Sequence, residues 1–170
     1  METIEYLTEN EVIEGVKNYL EQKGKTSQKR VINRSDAESK ERGVDLLIKL
    51  KNEKKNGNWY FIEAKGNKRA DGTPMRSTAN TNFRWALSQI ILRMKVDSRK
   101  NNYIYGIAMP DSEIIGHGKQ KGCKKLIEEN WALKHLKVRL YGAFYDKDNG
   151  VLTAREYLPR DIYTERKKAK

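Results

Sequence analysis

Cysteine is nearly absent: Cys123 is the one thiol in 170 residues. A single thiol excludes an internal disulfide and a cysteine-based zinc site, and it points to a reducing cytoplasm. Long apolar runs are missing too. None reaches the roughly 20 residues that a membrane-spanning helix needs, so no membrane partner is expected. The N-terminal METIEYLTENE is acidic and lacks the basic-then-apolar layout of a signal peptide. Histidine is limited to His117 and His135. With Cys123 they fit no zinc-ligand spacing, and a Cys/His pair without a third, orienting group is a weak nucleophile motif. GHGKQKGCK (116–124) lacks the Gly-Lys-Ser/Thr ending of a phosphate loop and reads as a surface loop.

Positive charge is what the chain has in excess. Lys+Arg 35 against Asp+Glu 23 gives +12. Such an excess favours a polyanionic partner, most often nucleic acid. Hydrophobic residues at 37% still allow a core, and the length suits one domain, 1–163, followed by a basic tail, 164–170.

Periodicity orders the chain. Thr8 and Glu11 have capping-box spacing, and Val12, Ile13, Val16, Tyr19 and Leu20 recur at helical spacing up to Gly24. RVIN (30–33) is a short strand candidate. Val44, Leu46, Ile48 and Leu50 alternate as a strand does, KNEKKNG (51–57) is a turn, and Trp59 to Lys65 returns. Residues 66–82 read as a loop. NFRWALSQIILRMKV (82–96) reads as a helix with a main stripe of Phe83, Leu87, Ile90, Ile91 and Met94. Its second stripe, Trp85, Leu92 and Val96, predicts burial between layers or a homodimer contact. A strand over 102–109, a loop over 111–122, a helix over 124–136, a strand over 138–145, the turn Asp148-Asn149-Gly150 and a last short strand complete an α/β domain around a mixed sheet.

Three charged residues interrupt the hairpin. Glu63 and Lys65 are two apart and share a face, with Ala64 between them on the other. A symmetric hairpin about Lys54 sets Asp45 opposite Glu63, with Cβ atoms roughly 5 Å apart. Facing carboxylates repel unless something neutralises them. Hard oxygen ligands select Mg²⁺ or Mn²⁺, with the Ala64 carbonyl as a further donor. A fixed Lys65 ammonium beside activated water suits phosphodiester hydrolysis. The same residues also fit an edge strand carrying an exposed ion pair.

Gly43-Val44-Asp45, an apolar strand, then Ile62-Glu63-Ala64-Lys65-Gly66 resembles the PD-(D/E)xK nuclease superfamily. Element order, Leu87-Ser88-Gln89 in the following helix, and GIAMPD (106–111) extend the likeness over residues 8–111. Val44 departs from the proline of the motif's name. The resemblance implies a restriction-endonuclease-like, three-layer α/β/α fold with a central mixed sheet. It also implies a Mg²⁺-dependent deoxyribonuclease, an endonuclease with DNA as its partner, working in restriction, repair or recombination. Asp45 and Glu63 become metal ligands, Lys65 the residue that positions water, and Gln89 a supporting residue. Several branches add a glutamate from the first helix. Glu9 falls within roughly 20° of that helix's apolar face, whereas Glu11 and Glu14 point toward water. Lys68, Arg69, Arg76 and Arg84 flank the motif as candidate phosphate contacts. Lys51, Lys54 and Lys55, at the far end of the hairpin, serve solubility. The alternatives are a non-catalytic nucleic-acid-binding module and a structural subunit of a defence or repair complex, docked through Trp85, Leu92 and Val96.

Overall fold

The computed structural model describes residues 5–23, 32–33, 45–50, 58–94, 103–116, 122–123 and 138–157. Helix α1 (Glu9–Lys23) precedes strands β1 (Ile32–Asn33), β2 (Leu46–Leu50) and β3 (Asn58–Ala64). Helix α2 (Ala79–Arg93), strand β4 (Tyr103–Pro110), helix α3 (Asp111–Ile115) and strands β5 (Arg139–Tyr145) and β6 (Leu152–Tyr157) follow. The six strands form one mixed sheet in sequence order. β3, β4 and β5 run parallel, and the remaining pairs are antiparallel. An α/β fold with a mixed sheet is therefore what the alternating elements produce. No helix among the described residues is long and apolar enough to cross a membrane.

Period-2 alternation divides the core. Leu46, Ile48, Ile62 and Ala108 point to one face, where Val12, Ile13, Val16 and Leu20 of α1 cover them. Burying each such side chain stabilises the fold by roughly 1.5–3 kcal/mol. On the other face Tyr105, Ile107 and Met109 meet Phe83, Ala86, Leu87 and Ile90 of α2. Helices thus cover both faces of the sheet.

The β2–β3 hairpin has the expected register, Leu46↔Ile62 through Leu50↔Asn58. One step further along that register, Asp45 faces Glu63. The Asp148–Gly150 turn also forms, with Gly150 at φ +69° and the Asp146 N–H bonded to the Val151 carbonyl at 2.9 Å.

Three expectations need correction. α2 starts at Ala79, not at residue 82, because Thr78 caps it by accepting the Thr81 N–H. The described part of the second stripe is not buried between layers: Trp85 is 63% exposed and Leu92 is 86% exposed, because the sheet takes up the Phe83–Leu87–Ile90 side of α2, and Ile91 of the main stripe is exposed as well. Residues 111–115 are helical rather than loop, since Ile114 is buried against the α2 face and Asp111 and Glu113 sit in the first turn. Val44, Val96, His117, His135, the 51–57 turn, the 124–136 helix and the C-terminal tail lie outside the described residues.

Candidate active site

Asp45 stands just before β2, and its Oδ2 accepts the Ala64 N–H at 2.8 Å. That bond crosses the hairpin and fixes the carboxylate at the end of β3. Lys65, the first residue past β3, folds its ammonium back into the gap. Its Nζ lies 3.1 Å from Glu63 Oε1, 3.8 Å from Asp45 Oδ2 and 3.7 Å from Glu9 Oε2. One ammonium therefore gathers three carboxylates from α1, the pre-β2 turn and β3. Ala64 enters through its N–H, on Asp45.

Glu63 is only 1% exposed. Its second oxygen pairs with the Arg93 guanidinium at the C-terminal end of α2. Burial, and then the nearby Asp45 charge, push the Glu63 carboxyl up to about 7 against the pull of Lys65 and Arg93. Burial also raises the Glu9 carboxyl above its ordinary value, with Lys65 opposing. Arg93 was not foreseen. It lies 30 residues from Glu63, and such a long-range ion pair carries no periodic signal in the sequence.

The first turn of α1 is held over the site by the residues after Lys65. The Asn67 and Lys68 N–H groups both donate to the Leu7 carbonyl, at 2.9 and 3.1 Å. The Asn67 side chain accepts the Leu7 N–H at 2.7 Å and donates to the Glu5 carbonyl at 3.2 Å. Gly66 lies beneath this segment. A Cβ there would meet Glu9 N at 2.5 Å, Leu7 O at 2.7 Å and the Thr8 carbonyl carbon at 2.7 Å. This lysine-glycine-asparagine junction is what carries Glu9 to Lys65. The glycine directly after the motif lysine was its only signal in the sequence.

Glu11 does not point to water as expected. The capping box turns it back: its carboxylate accepts from the Thr8 N–H at 2.6 Å and the Thr8 hydroxyl at 2.8 Å, and the Glu11 N–H donates to Thr8 Oγ1 at 3.2 Å. Burial lifts the Glu11 carboxyl, but Thr8, Lys68 and Tyr145 together outweigh it and hold it at about 2. Lys68 is consequently committed. Its ammonium sits 3.1 Å from Glu11, so in this structure it is paired with α1. Glu14 is exposed and paired with Lys17, as its helical phase predicts.

Beside the carboxylates opens a cleft of about 870 Å³ between the 65–78 segment and α2. Arg69 and Arg76 are exposed on one wall, and Trp85 and Gln89 stand on the other. Arg84 is exposed next to Trp85 but is not among the cleft's lining residues. The Gln89 side-chain oxygen is buried without a hydrogen-bond partner.

A second polar cluster supports the first from behind. The Asn82 amide donates to the Gly66 carbonyl and to Glu113, both at 3.3 Å. Burial pushes the Glu113 carboxyl up to about 7. Burial, with Glu113 adding to it, takes the Cys123 thiol to about 12, which agrees with rejecting this cysteine as a nucleophile.

The donor chemistry fits a hard divalent cation, since three carboxylates flank one point. That point holds the Lys65 ammonium. Among the described residues, no group of three or more His, Cys, Asp or Glu side chains is close enough to hold a metal ion as it stands. Binding of a cation therefore requires it to compete with Lys65 for the carboxylate oxygens. No family model, curated protein or solved structure matches the chain.

Proposed function

We propose that the chain is a metal-dependent nuclease of the restriction-endonuclease-like fold that hydrolyses DNA phosphodiester bonds in the cytoplasm. The observation that carries this reading is the convergence of Glu9, Asp45 and Glu63 on the Lys65 ammonium at the mouth of a basic cleft. Asp45, Glu63 and Glu9, with the Ala64 carbonyl, are the residues that would hold Mg²⁺ or Mn²⁺. When bound, such an ion supplies charge neutralisation at the scissile phosphate and an acidified water. Lys65 donates hydrogen bonds to the phosphate or the attacking water and stabilises the negative charge that develops there. Arg93 keeps the buried Glu63 paired while Lys65 changes partners. Gln89, with its unpaired oxygen facing no protein donor, orients a polar group beside the carboxylates.

Cleavage of supercoiled and linear DNA by the intact chain, with Mg²⁺ or Mn²⁺ and with or without chelator, tests the reading. Loss of supercoiled substrate only when metal is free supports it. Intact substrate under every metal condition leaves the alternative of a non-catalytic nucleic-acid-binding module. The full pairing of Glu63 by Lys65 and Arg93 favours that alternative, because buried, neutralised ion networks also occur in purely structural roles.

Charge gives a second test. Binding to DNA should weaken steeply as salt rises, because each phosphate contact releases counterions. Replacing Arg69 and Arg76 together by Ala should lower the slope of log affinity against log salt by about 2. An unchanged slope moves the nucleic-acid path away from the 65–78 segment.

A further inference from the structure

Trp85 is the feature that the hydrolytic chemistry leaves unused. Its indole is 63% exposed on α2, and it lines the same cleft as Lys65, Arg69 and Arg76. An aromatic of this size is normally covered, and in this cleft it faces a wall carrying exposed Arg69, Met75 and Arg76. Of the four basic side chains lining the cleft, Lys65 and Lys68 are paired with carboxylates, while Arg69 and Arg76 are exposed; Glu9, the acid in the lining, already faces Lys65.

We propose that Trp85 is a base-stacking platform, and that the cleft takes a nucleic-acid strand with unstacked bases rather than an intact duplex. This inference rests on the nuclease reading for its polyanionic substrate and names the class of that substrate. In an intact duplex each base face is covered by its neighbours, so an indole has nothing to stack on. In a single strand, a flap or a frayed end the faces are free, and stacking on an aromatic side chain is sequence-tolerant. The arrangement supplies both parts of such a site: cations for the backbone on one wall and a π-face for a base on the other.

The competing occupant is a second copy of this chain, docked on Trp85 and Leu92. Charge complementarity decides against it. A copy carrying +12 would bring further positive charge to a basic cleft, whereas a strand brings phosphates.

The test is binding in chelator, so that no cleavage intervenes. A labelled oligothymidylate and a duplex of equal length are titrated with the wild-type chain, Trp85→Ala and Trp85→Phe. The expected result is tighter binding of the single strand by the wild type. Trp85→Ala should lose roughly 5- to 100-fold on the single strand and little on the duplex, and Trp85→Phe should recover most of the loss. Equal losses on both substrates, or none, overturn the stacking role. Unchanged DNA binding together with a shift from dimer to monomer in Trp85→Ala also overturns it and assigns the face to self-association. The nuclease reading fails separately: if this binding pattern holds but no metal restores cleavage, the stacking site stands and the hydrolytic assignment falls.

Discussion

Lys65→Met should abolish metal-dependent cleavage and also destabilise the fold in a pH-dependent way. The cleavage loss follows from removing the cation that the carboxylate cluster holds against a reacting phosphate, an interaction typically worth on the order of 10²- to 10³-fold in rate. The stability loss follows from the three carboxylates. Without Lys65, Glu63 keeps Arg93 but stays buried opposite Asp45. The cost should be about 2 kcal/mol near pH 8, below that of breaking an isolated buried pair because Arg93 remains. The sign with pH is fixed by linkage. The Glu63 carboxyl already lies near 7 in the folded chain, above its ordinary 4.5. Its folded-state preference for the proton makes stability fall as pH rises from 4.5 through 7. Removing Lys65 raises that carboxyl further, so the gap in melting temperature between wild type and variant should stay nearly flat from pH 5 to about 7 and widen above about 7, where only the wild-type carboxyl has ionised. A gap that stays constant above about 7 as well would mean that Lys65 does not hold the charge of Glu63. A non-catalytic role predicts the stability effect with no cleavage to lose.

Gly66→Ala should be strongly damaging for a single added methyl. The new Cβ would lie 2.5–2.7 Å from backbone atoms of Leu7, Thr8 and Glu9, and backbone cannot turn aside as a flexible side chain can. The start of α1 must lift, which breaks the Asn67–Leu7 bonds and withdraws Glu9 from Lys65. Such overpacking costs typically 1–3 kcal/mol, and the lost buried hydrogen bonds place this case at or above the upper end. Thermal unfolding and cleavage rate should fall together. Gly72→Ala is the comparison: it has open space around it, at φ +86°, so it adds only local backbone strain on an exposed turn and should leave cleavage intact. An unchanged melting temperature for Gly66→Ala would contradict the tight packing of Gly66 beneath the start of α1.

These two sites show what a sequence can and cannot convey. Asp45 opposite Glu63 was legible because strand alternation and a symmetric turn fix a register arithmetically. Glu9 was legible because helical phase follows from the apolar face of α1. Glu11 was not, since a capping box acts through side-chain folding that helical phase ignores. Arg93 on Glu63 is a long-range ion pair, and the exposure of Trp85 turns on what covers that side of α2, neither of which the apolar pattern encodes; where α2 begins is a third such feature. Thr78 decides that, and nothing in the apolar pattern of 82–96 distinguishes a start at 79 from one at 82. Helix α3 was hidden because Pro110 and five polar-to-apolar residues read equally well as loop. The clamp by Asn67 and the support by Asn82 and Glu113 are long-range pairings of single polar residues, which carry no periodic signal at all.

The most direct measurement is plasmid cleavage by Asp45→Asn beside the wild type, in Mg²⁺, with both proteins checked by thermal unfolding in chelator. Asparagine keeps the shape that accepts the Ala64 N–H and removes one of two facing charges. The expected result is no cleavage by the variant at any Mg²⁺ concentration that activates the wild type, with metal-free stability equal to the wild type or slightly higher. Full Mg²⁺-dependent cleavage by Asp45→Asn would contradict it.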